Sequence, residues 1–315
     1  MASQPGSALK KSYSTWFIER LKELFGEEEA HFLCEVYGGE RPITIRVNAV
    51  NGTREELRKK LQEKFRNIEF RASQFSPHAL IASQPITLNE DPLYREGDYS
   101  LEDESHQLAP LALQPKQGEV IVDVAAGKGE RATHLAELMR NVGAVHAWTQ
   151  SPEEIEEIQS EVSRLGLGIV KTRLKDPTRM VRQKFDAALA YLPSSETGKI
   201  RRDPSIAEHL NPDRLQNLAD WQLAVLHRIA PALKSGGRLV YAVSSLLPEE
   251  GEDLIFRFLK TFKMFGIEDL REILPPACYS FVNDQGFFKS LPEPGSMDGI
   301  FIARLSKAAA KETKG

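Results

Sequence analysis

Apolar positions along this chain change period several times, and each change marks an element. Trp16, Phe17, Leu21, Leu24 and Phe25 recur at helical spacing as far as Gly26. A second helix is predicted over 27–37, ended by Gly38-Gly39, and the first dozen residues read as mobile. In PITIRVNAV (42–50), Ile43, Ile45, Val47 and Ala49 alternate with polar residues, as in a half-exposed strand. Thr53 with Glu56 three residues on is a capping-box signature, so 53–65 is predicted helical. Short strands follow near 68–70 and 79–81, and together these make a small α+β module. A turn at Gly97 and a short helix over 105–113 lead onward. From Gly118 strand and helix alternate to residue 259, the signature of a parallel α/β sheet. Strands are expected at 120–122, 145–149, 168–172, 185–192 and 238–243. Helices are expected at 131–140, 152–164, 212–233 (stopped by Ser235-Gly236-Gly237) and 249–265. Strands at 278–282 and 299–305 close the chain.

The stretch GEVIVDVAAGKGERATHLAEL (118–138) is the centre of this pattern. Val120, Ile121 and Val122 form the apolar run of a strand covered on both faces. Asp123 closes the run, and Gly127 and Gly129 let the backbone approach a ligand before a helix opens. Strand, glycine turn and helix in this order are how doubly wound folds hold a nucleotide-like cofactor. The D-x-A-A-G-x-G spacing leans toward S-adenosylmethionine (SAM) rather than the dinucleotide G-x-G-x-x-G. The same spacing also fits a plain tight turn.

Composition narrows the classes. The chain has 315 residues, 41% hydrophobic and 27% charged, with formal net charge −4. That excludes a generally basic nucleic-acid coat and leaves room only for local patches. One such patch lies between Arg41 and Arg71, where nine Lys/Arg stand against four Glu. A basic module beside a cofactor domain suggests a nucleic-acid platform; a solvated helix face reads equally well for Arg58, Lys59, Lys60 and Lys64. Cys34 and Cys278 are the two cysteines. Their spacing is not metal-like, no metal site is expected, and the count fits a reducing compartment. No membrane-length apolar run and no signal-peptide core are present, so a cytoplasmic protein is expected. The expected organisation is a helical segment over 1–40, the basic α+β module over 41–93, a sheet domain over 94–306 and a disordered tail over 307–315.

Ligands of open α/β sheets sit outside the carboxyl ends of the strands. Read at those ends, the chain resembles the RsmB/Sun family of RNA cytosine-5 methyltransferases over nearly its whole length. PITIRVN is similar to the family's N-terminal strand, REGDYSLEDESHQLAPLAL to its linker, and GEVIVDVAAGKGERATHLAEL to its SAM loop. LPSSETGKIRRDP resembles the substrate-cysteine loop with its arginine pair, SGGRLVYAVSSLLPEEGEDLIFRFL the nucleophile strand, and MDGIFIARL the closing strand. The six stand in the family's order and spacing.

The resemblance implies a class I SAM-dependent methyltransferase (Rossmann-like) sheet carrying a small RNA-binding-type module. It also implies a strict chemistry. A cysteine thiolate adds to cytosine C6, which makes C5 nucleophilic enough to take a methyl group. A second cysteine assists release, and a loop aspartate holds the base. At the matching positions this chain has Ser244 for the nucleophile, Ser194 for the release cysteine and Tyr191 for the aspartate. A serine needs an adjacent general base, and the nearest histidines in sequence, His209 and His227, fall in or beside a long helix.

On the cofactor side the resemblance assigns Asp123, Ala125, Gly127, Lys128, Gly129, Thr149 and Asp176. Lys128-Gly129-Glu130-Arg131 replaces the family's Pro-Gly-Gly-Lys and is expected to crowd the turn. Thr149 replaces the ribose-binding acid, with Glu153 one helical turn on as candidate substitute. SAM binding is therefore expected to be weakened by roughly 2–4 kcal/mol, or lost. On the RNA side it assigns Arg46, Arg58, Lys59, Lys60, Arg201 and Arg202; the last two could instead anchor loop carboxylates such as Asp203.

The resulting expectation is a catalytically inactive relative that binds RNA (rRNA or a ribosomal subunit) as an assembly or structural factor, with a protein partner as a further option. Two rivals remain: an active SAM-dependent RNA methyltransferase using thiolate-independent chemistry, and a pocket recruited for another small molecule or a protein.

Overall fold

Two sheets of unequal size organise the computed structural model, which describes residues 13–36, 42–293 and 295–309. Helices α1 (Thr15–Phe25) and α2 (Glu27–Val36) come first; the predicted Gly38-Gly39 stop and the first twelve residues lie outside the described residues. The small sheet then forms from β1 (Ile43–Val47), α3 (Arg54–Lys64), β2 (Phe70–Ala72), β3 (Ala79–Ala82), α4 (Pro92–Arg95) and β4 (Tyr99–Leu101). Its strand order is β2-β3-β1-β4, all antiparallel. Thr53 closes α3 with the full capping box that its spacing predicts.

The large sheet is built from α5 (Glu104–Leu113), β5 (Val120–Asp123), α6 (Glu130–Leu138), β6 (Ala144–Thr149), α7 (Pro152–Leu165), β7 (Val170–Leu174) and β8 (Phe185–Tyr191). It continues through α8 (Ile206–His209), α9 (Pro212–Ile229), β9 (Leu233–Val243), α10 (Glu252–Thr261), β10 (Phe265–Glu268), β11 (Phe288–Ser290) and β12 (Ile300–Lys307). Strands run β10-β12-β9-β8-β5-β6-β7, with β11 beside β12. Strands β5 to β9 are parallel, whereas β12 runs antiparallel to both β9 and β10. This is the class I methyltransferase-type α/β sheet expected from the sequence. One hydrophobic layer lies under α5, α6 and α7 and another under α9 and α10, so the strands between them are buried on both faces.

Several expectations need correction. The linker contributes β4 to the small sheet, so that sheet extends past the boundary placed at residue 94. Ser235-Gly236-Gly237 does not stop a helix but lies inside β9, beside a register shift opposite Phe185 and Ala187. Pro231, in the 3-10 turn Ala230–Ala232, ends the helix first because it has no N–H to continue it. The strand expected at 278–282 is a 3-10 turn, Pro276–Phe281, opened by the Pro275-Pro276 pair, while β10 and β11 were not anticipated. The tail expected from 307 begins later, since Lys307 is still paired with Phe265 in the sheet.

Arg46 joins the two sheets. Its side chain is fully buried and ion-paired with Glu102 and, at 3.0 Å, with Glu137 of α6. It also donates to the Glu130 carbonyl (2.7 Å) and to Thr133 Oγ1 (2.9 Å). Assigned to RNA by resemblance, it is an internal strut that no solvent-borne phosphate reaches.

Candidate functional site

The carboxyl ends of β5, β6 and β8 surround a cavity of about 460 Å³, walled by Ala125, Gly127, Arg131, Thr149, Glu154, Tyr191, Ser194, Glu196, Lys199 and Trp221 among others. A cleft of about 520 Å³ between α2 and the small sheet is lined by Phe32, Ile43 and Arg71 but lies away from these strand ends. The chemistry of a doubly wound sheet belongs to the former.

Asp123, last residue of β5, is fully buried and faces the Arg131 guanidinium electrostatically. Burial pushes its carboxyl up to about 6, against the pull of the Arg131 charge and the Ala125 amide. Between about pH 4 and 6 the folded chain therefore holds a proton that the unfolded chain has released. The contribution of Asp123 to stability falls as pH rises through that window and stays low above it. Replacing Asp123 by Asn is expected to shift the stability difference in the variant's favour by up to about 3 kcal/mol between pH 4 and pH 7. Urea unfolding at the two pH values checks this, and an unchanged difference counts against the assignment.

Gly127 (φ +53°) and Gly129 (φ +91°) take left-handed conformations that suit glycine, so the turn brings backbone against the cavity. The crowding expected there is absent. Lys128 points to solvent and pairs with Glu157 at 3.4 Å, and Glu130 is not in the wall. Arg131 enters the wall instead, donating to the Ala125 carbonyl at 3.2 Å.

At the end of β6, Thr149 is hydrogen-bonded to Glu154, and both line the cavity. Glu153 turns back onto the exposed hydroxyl of Ser151. The carboxylate that stands beside Thr149 in the cavity wall is thus Glu154, one residue on from the expected substitute. Asp176 closes a local turn through Thr178 N (2.9 Å) and Thr178 Oγ1 (2.6 Å) and is absent from the wall.

Two of the three positions singled out by the resemblance, Tyr191 and Ser244, meet across the sheet. Tyr191 ends β8, where its neighbour on β9 is Ala242, and its phenol shares a 2.5 Å hydrogen bond with Ser244 Oγ. The Arg131 guanidinium covers the tyrosine ring at 4.4 Å, and His106 packs edge-on at 5.5 Å between ring centres. Burial, then the Glu196 charge, raise the phenol above its ordinary range. Burial and the Lys199 charge hold His106 well below its ordinary range, so the imidazole next to Tyr191 is neutral. Ser244 is fully buried at the phenol end of the Tyr191 side chain and does not line the cavity. Ser194 does line it, donating to Glu196 at 2.9 Å.

A carboxylate does stand close by. Buried Glu250 accepts from Ser195 N (2.9 Å) and Gln222 Nε2 (2.9 Å), and Ser195 Oγ lies 3.0 Å from Ser245 Oγ. It serves the neighbouring serines rather than Ser194 or Ser244. His209 is exposed on α8, and His227, on α9, meets Phe262 edge-to-face. Cys34 is packed among Phe17 and Leu33, and Cys278 lies beneath the sheet near Leu274, so neither thiol reaches the cavity.

The basic residues separate into two groups. Arg201 is buried on Asp298 (3.0 Å) and on the carbonyls of Glu293 (3.0 Å) and Ser296 (2.8 Å). Arg202 bridges Asp298 and Asp103 (2.6 Å). The pair is an anchor, held by Asp103 and Asp298 rather than by Asp203, which caps Ser205 instead. Arg58, Lys59 and Lys60 of α3 are exposed; Arg58 pairs with Glu55 (2.9 Å) and Lys60 with Asp98 (2.7 Å). Glu154, Arg131, Lys199, Trp221 and His106 were not foreseen as site residues. Only Glu154 carried a local signal, as the third helical residue after the Ser151 cap.

Known proteins share this fold. Residues 110–306 match the family described as 16S rRNA methyltransferase RsmB/F, and residues 13–89 match the ferredoxin-like domain of RsmF/B-like methyltransferases. A probable ribosomal RNA small subunit methyltransferase B of Bacillus subtilis is 30% identical over 305 residues, 95% of this chain and 67% of that protein. A mouse 28S rRNA (cytosine-C(5))-methyltransferase is 26% identical, over 94% of this chain and 39% of its own. The crystal structure of PH0851 superposes with TM-score 0.86 at 29% identity, covering 94% of this chain and 66% of that one. A methyltransferase homolog from Pyrococcus horikoshii gives TM-score 0.83 at 25% identity, covering 98% of this chain and all (100%) of its own. The chain spans about two thirds of the bacterial relative's length. With its family-defining segments in register on a class I methyltransferase sheet, the chain belongs to the RsmB/F family of rRNA methyltransferases.

Proposed function

We propose that this chain is a non-methylating member of its family. In this reading it binds rRNA, keeps the cofactor cavity, and acts as an assembly or structural factor on a ribosomal particle in the cytoplasm. The observation that carries the reading is the 2.5 Å hydrogen bond between Tyr191 and Ser244. Cytosine C5 transfer needs a thiolate in contact with the base. Here the nucleophile position holds a hydroxyl, and that hydroxyl is sealed behind a tyrosine ring whose phenol burial keeps protonated. The burial of both cysteines outside the cavity supports the same conclusion. A tritiated-methyl transfer assay on rRNA tests it: no incorporation is expected, and incorporation that depends on Tyr191 or Ser244 would favour the thiolate-independent rival.

The cavity suits SAM. Glu154 with Thr149 offers a carboxylate and a hydroxyl to the ribose, and Arg131 offers a cation to the carboxylate of the methionine moiety. When bound, SAM supplies an electrophilic methyl group, and no thiol of this chain is placed to use it on a cytosine. Because Glu154 keeps the ribose acid, binding is expected to persist. Glu154→Gln is expected to weaken SAM binding about tenfold by calorimetry, the scale of one charge-assisted hydrogen bond of about 1.5 kcal/mol. Glu153→Gln should leave it unchanged. A loss on the Glu153 variant alone would overturn this assignment.

A further inference from the structure

The free edge of the large sheet carries a charge concentration that the site does not use. Strand β7 is the last in the order and, among the described residues, is paired only with β6. From Lys171 to Lys184 the chain holds six Lys/Arg (Lys171, Arg173, Lys175, Arg179, Arg182, Lys184) against one acid, Asp176. All six except half-buried Lys175 are exposed. Asp176 offsets only Arg179, at 3.4 Å.

Strand periodicity puts Lys171 and Arg173 on one face, roughly 6.6 Å apart, and Lys175, just past the strand, joins them through its contact with Trp148. The other face meets α7, where Gln159 reaches Thr172. The three cations therefore share the side of His146 and Trp148, their register partners' face on β6. Their charge reaches their neighbours: after burial, Arg173 and Lys171 lower His146, and after burial Arg173 lowers Lys175. Arg228 of α9 extends the strip by donating to the Thr178 carbonyl at 3.1 Å.

Lysines on a free strand edge also guard against edge-to-edge pairing. That role ends with the strand, whereas this strip continues through the loop to Lys184. Uncompensated like charge disfavours the compact state, and a polyanion reverses that penalty.

We infer that this edge is a phosphodiester-binding ridge for RNA, distinct from α3. One observation favours RNA over an acidic protein segment. The strand part of the ridge ends beside the cofactor cavity: Lys175 N donates to the carbonyl of Thr149, a wall residue, at 2.8 Å, and the Lys175 ammonium sits 4.2 Å from the Trp148 ring centre. A strand lying along it is delivered to the cavity mouth. The inference rests on the reading of the chain as an rRNA binder.

The test is anisotropy binding of the full chain to a transcribed 16S rRNA over a salt series. The triple variant Lys171→Gln, Arg173→Gln, Arg182→Gln leaves Lys175 on Trp148 in place. It is expected to bind on the order of tenfold more weakly, with the log–log salt slope reduced by about two, as for three lost single-strand phosphate contacts. The charge-conserving swap Lys171→Arg with Arg173→Lys is expected to bind as the parent does, and equal melting temperatures exclude a folding effect. An unchanged slope in the triple variant overturns the ridge while leaving the rRNA reading intact. Retained RNA binding with lost binding to polyglutamate assigns the edge to an acidic protein instead and also overturns it. If the parent binds no rRNA, the rRNA reading fails and the ridge fails with it.

Discussion

Arg46→Leu is expected to lower the unfolding free energy at pH 7 by about 3–5 kcal/mol, measured by urea denaturation. Arg46 is fully buried, and it faces two carboxylates as buried as itself. Deleting the cation leaves Glu102 and Glu137 desolvated, with Glu102 Oε1 and Glu137 Oε2 already lacking hydrogen-bond partners. Burial lifts the Glu137 carboxyl to about 7 even with Arg46 present, and burial raises Glu102 as well. Without Arg46 both move further up. The folded variant then takes up protons that the unfolded chain, with ordinary glutamates, does not hold near neutrality. The folded parent already binds the Glu137 proton below about pH 7, so the deficit is smaller at acid pH and grows as pH rises above about 7, where the parent's Glu137 ionises and the variant's stays protonated. Adding Glu102→Leu and Glu137→Leu to the variant is expected to recover most of the loss, because apolar groups of similar volume replace a buried ionic triad at little cost. A deficit that stays constant from about pH 6 to about pH 9 would show that Arg46 acts by packing alone. The position matters for function because Glu137 and Thr133 lie on α6, the helix that leaves the cofactor turn.

The same residue marks where sequence reading ends. In a half-exposed strand residue 46 shares a face with Thr44 and should be wet, yet both are buried because Glu102 and α6 close over them. A period of two identifies a strand but cannot say that its polar face is roofed by another element. Features carried by neighbours in sequence were legible: the Thr53 capping box, the glycine turn after Asp123, and the strand–helix alternation that sets the parallel sheet. Three-residue β4 was not, since its identity as a strand comes from pairing with β1 more than fifty residues away. At the site, Thr149, Tyr191, Ser194 and Ser244 could be placed by order along the chain. The choice between Glu153 and Glu154 could not, because it depends on which side chain the Ser151 cap draws back to the surface. Arg201 and Arg202 looked like phosphate ligands, and the carboxylates that hold them are supplied by Asp103 and Asp298, roughly a hundred residues off on either side.

The contact between Tyr191 and Ser244 makes a prediction that simple loss of a cysteine does not. If the missing thiol were the whole defect, Ser244→Cys alone would restore a nucleophile. The environment argues otherwise. The side chain at 244 is fully buried beneath Tyr191, whose ring is held by Arg131 on one face and His106 at its edge. A thiol there would be desolvated and kept protonated, as the buried Cys278 thiol is, pushed up to about 12. No base could approach it without displacing the ring. Denaturing gels with rRNA carrying 5-azacytosine read this directly, because a thiolate that adds to C6 of that base is retained as a covalent adduct. Ser244→Cys alone is expected to give no adduct. Tyr191→Asp with Ser244→Cys is expected to give one, since the smaller side chain opens the path and its carboxylate supplies the group that holds the base. The adduct should weaken at acid pH, where the thiolate is lost. An adduct with Ser244→Cys alone would mean that Tyr191 is no barrier and that the silence of the site rests on the hydroxyl only. Failure of the double variant, with its fold intact by circular dichroism, would move the block to Arg131, whose guanidinium lies over the position of the Tyr191 ring.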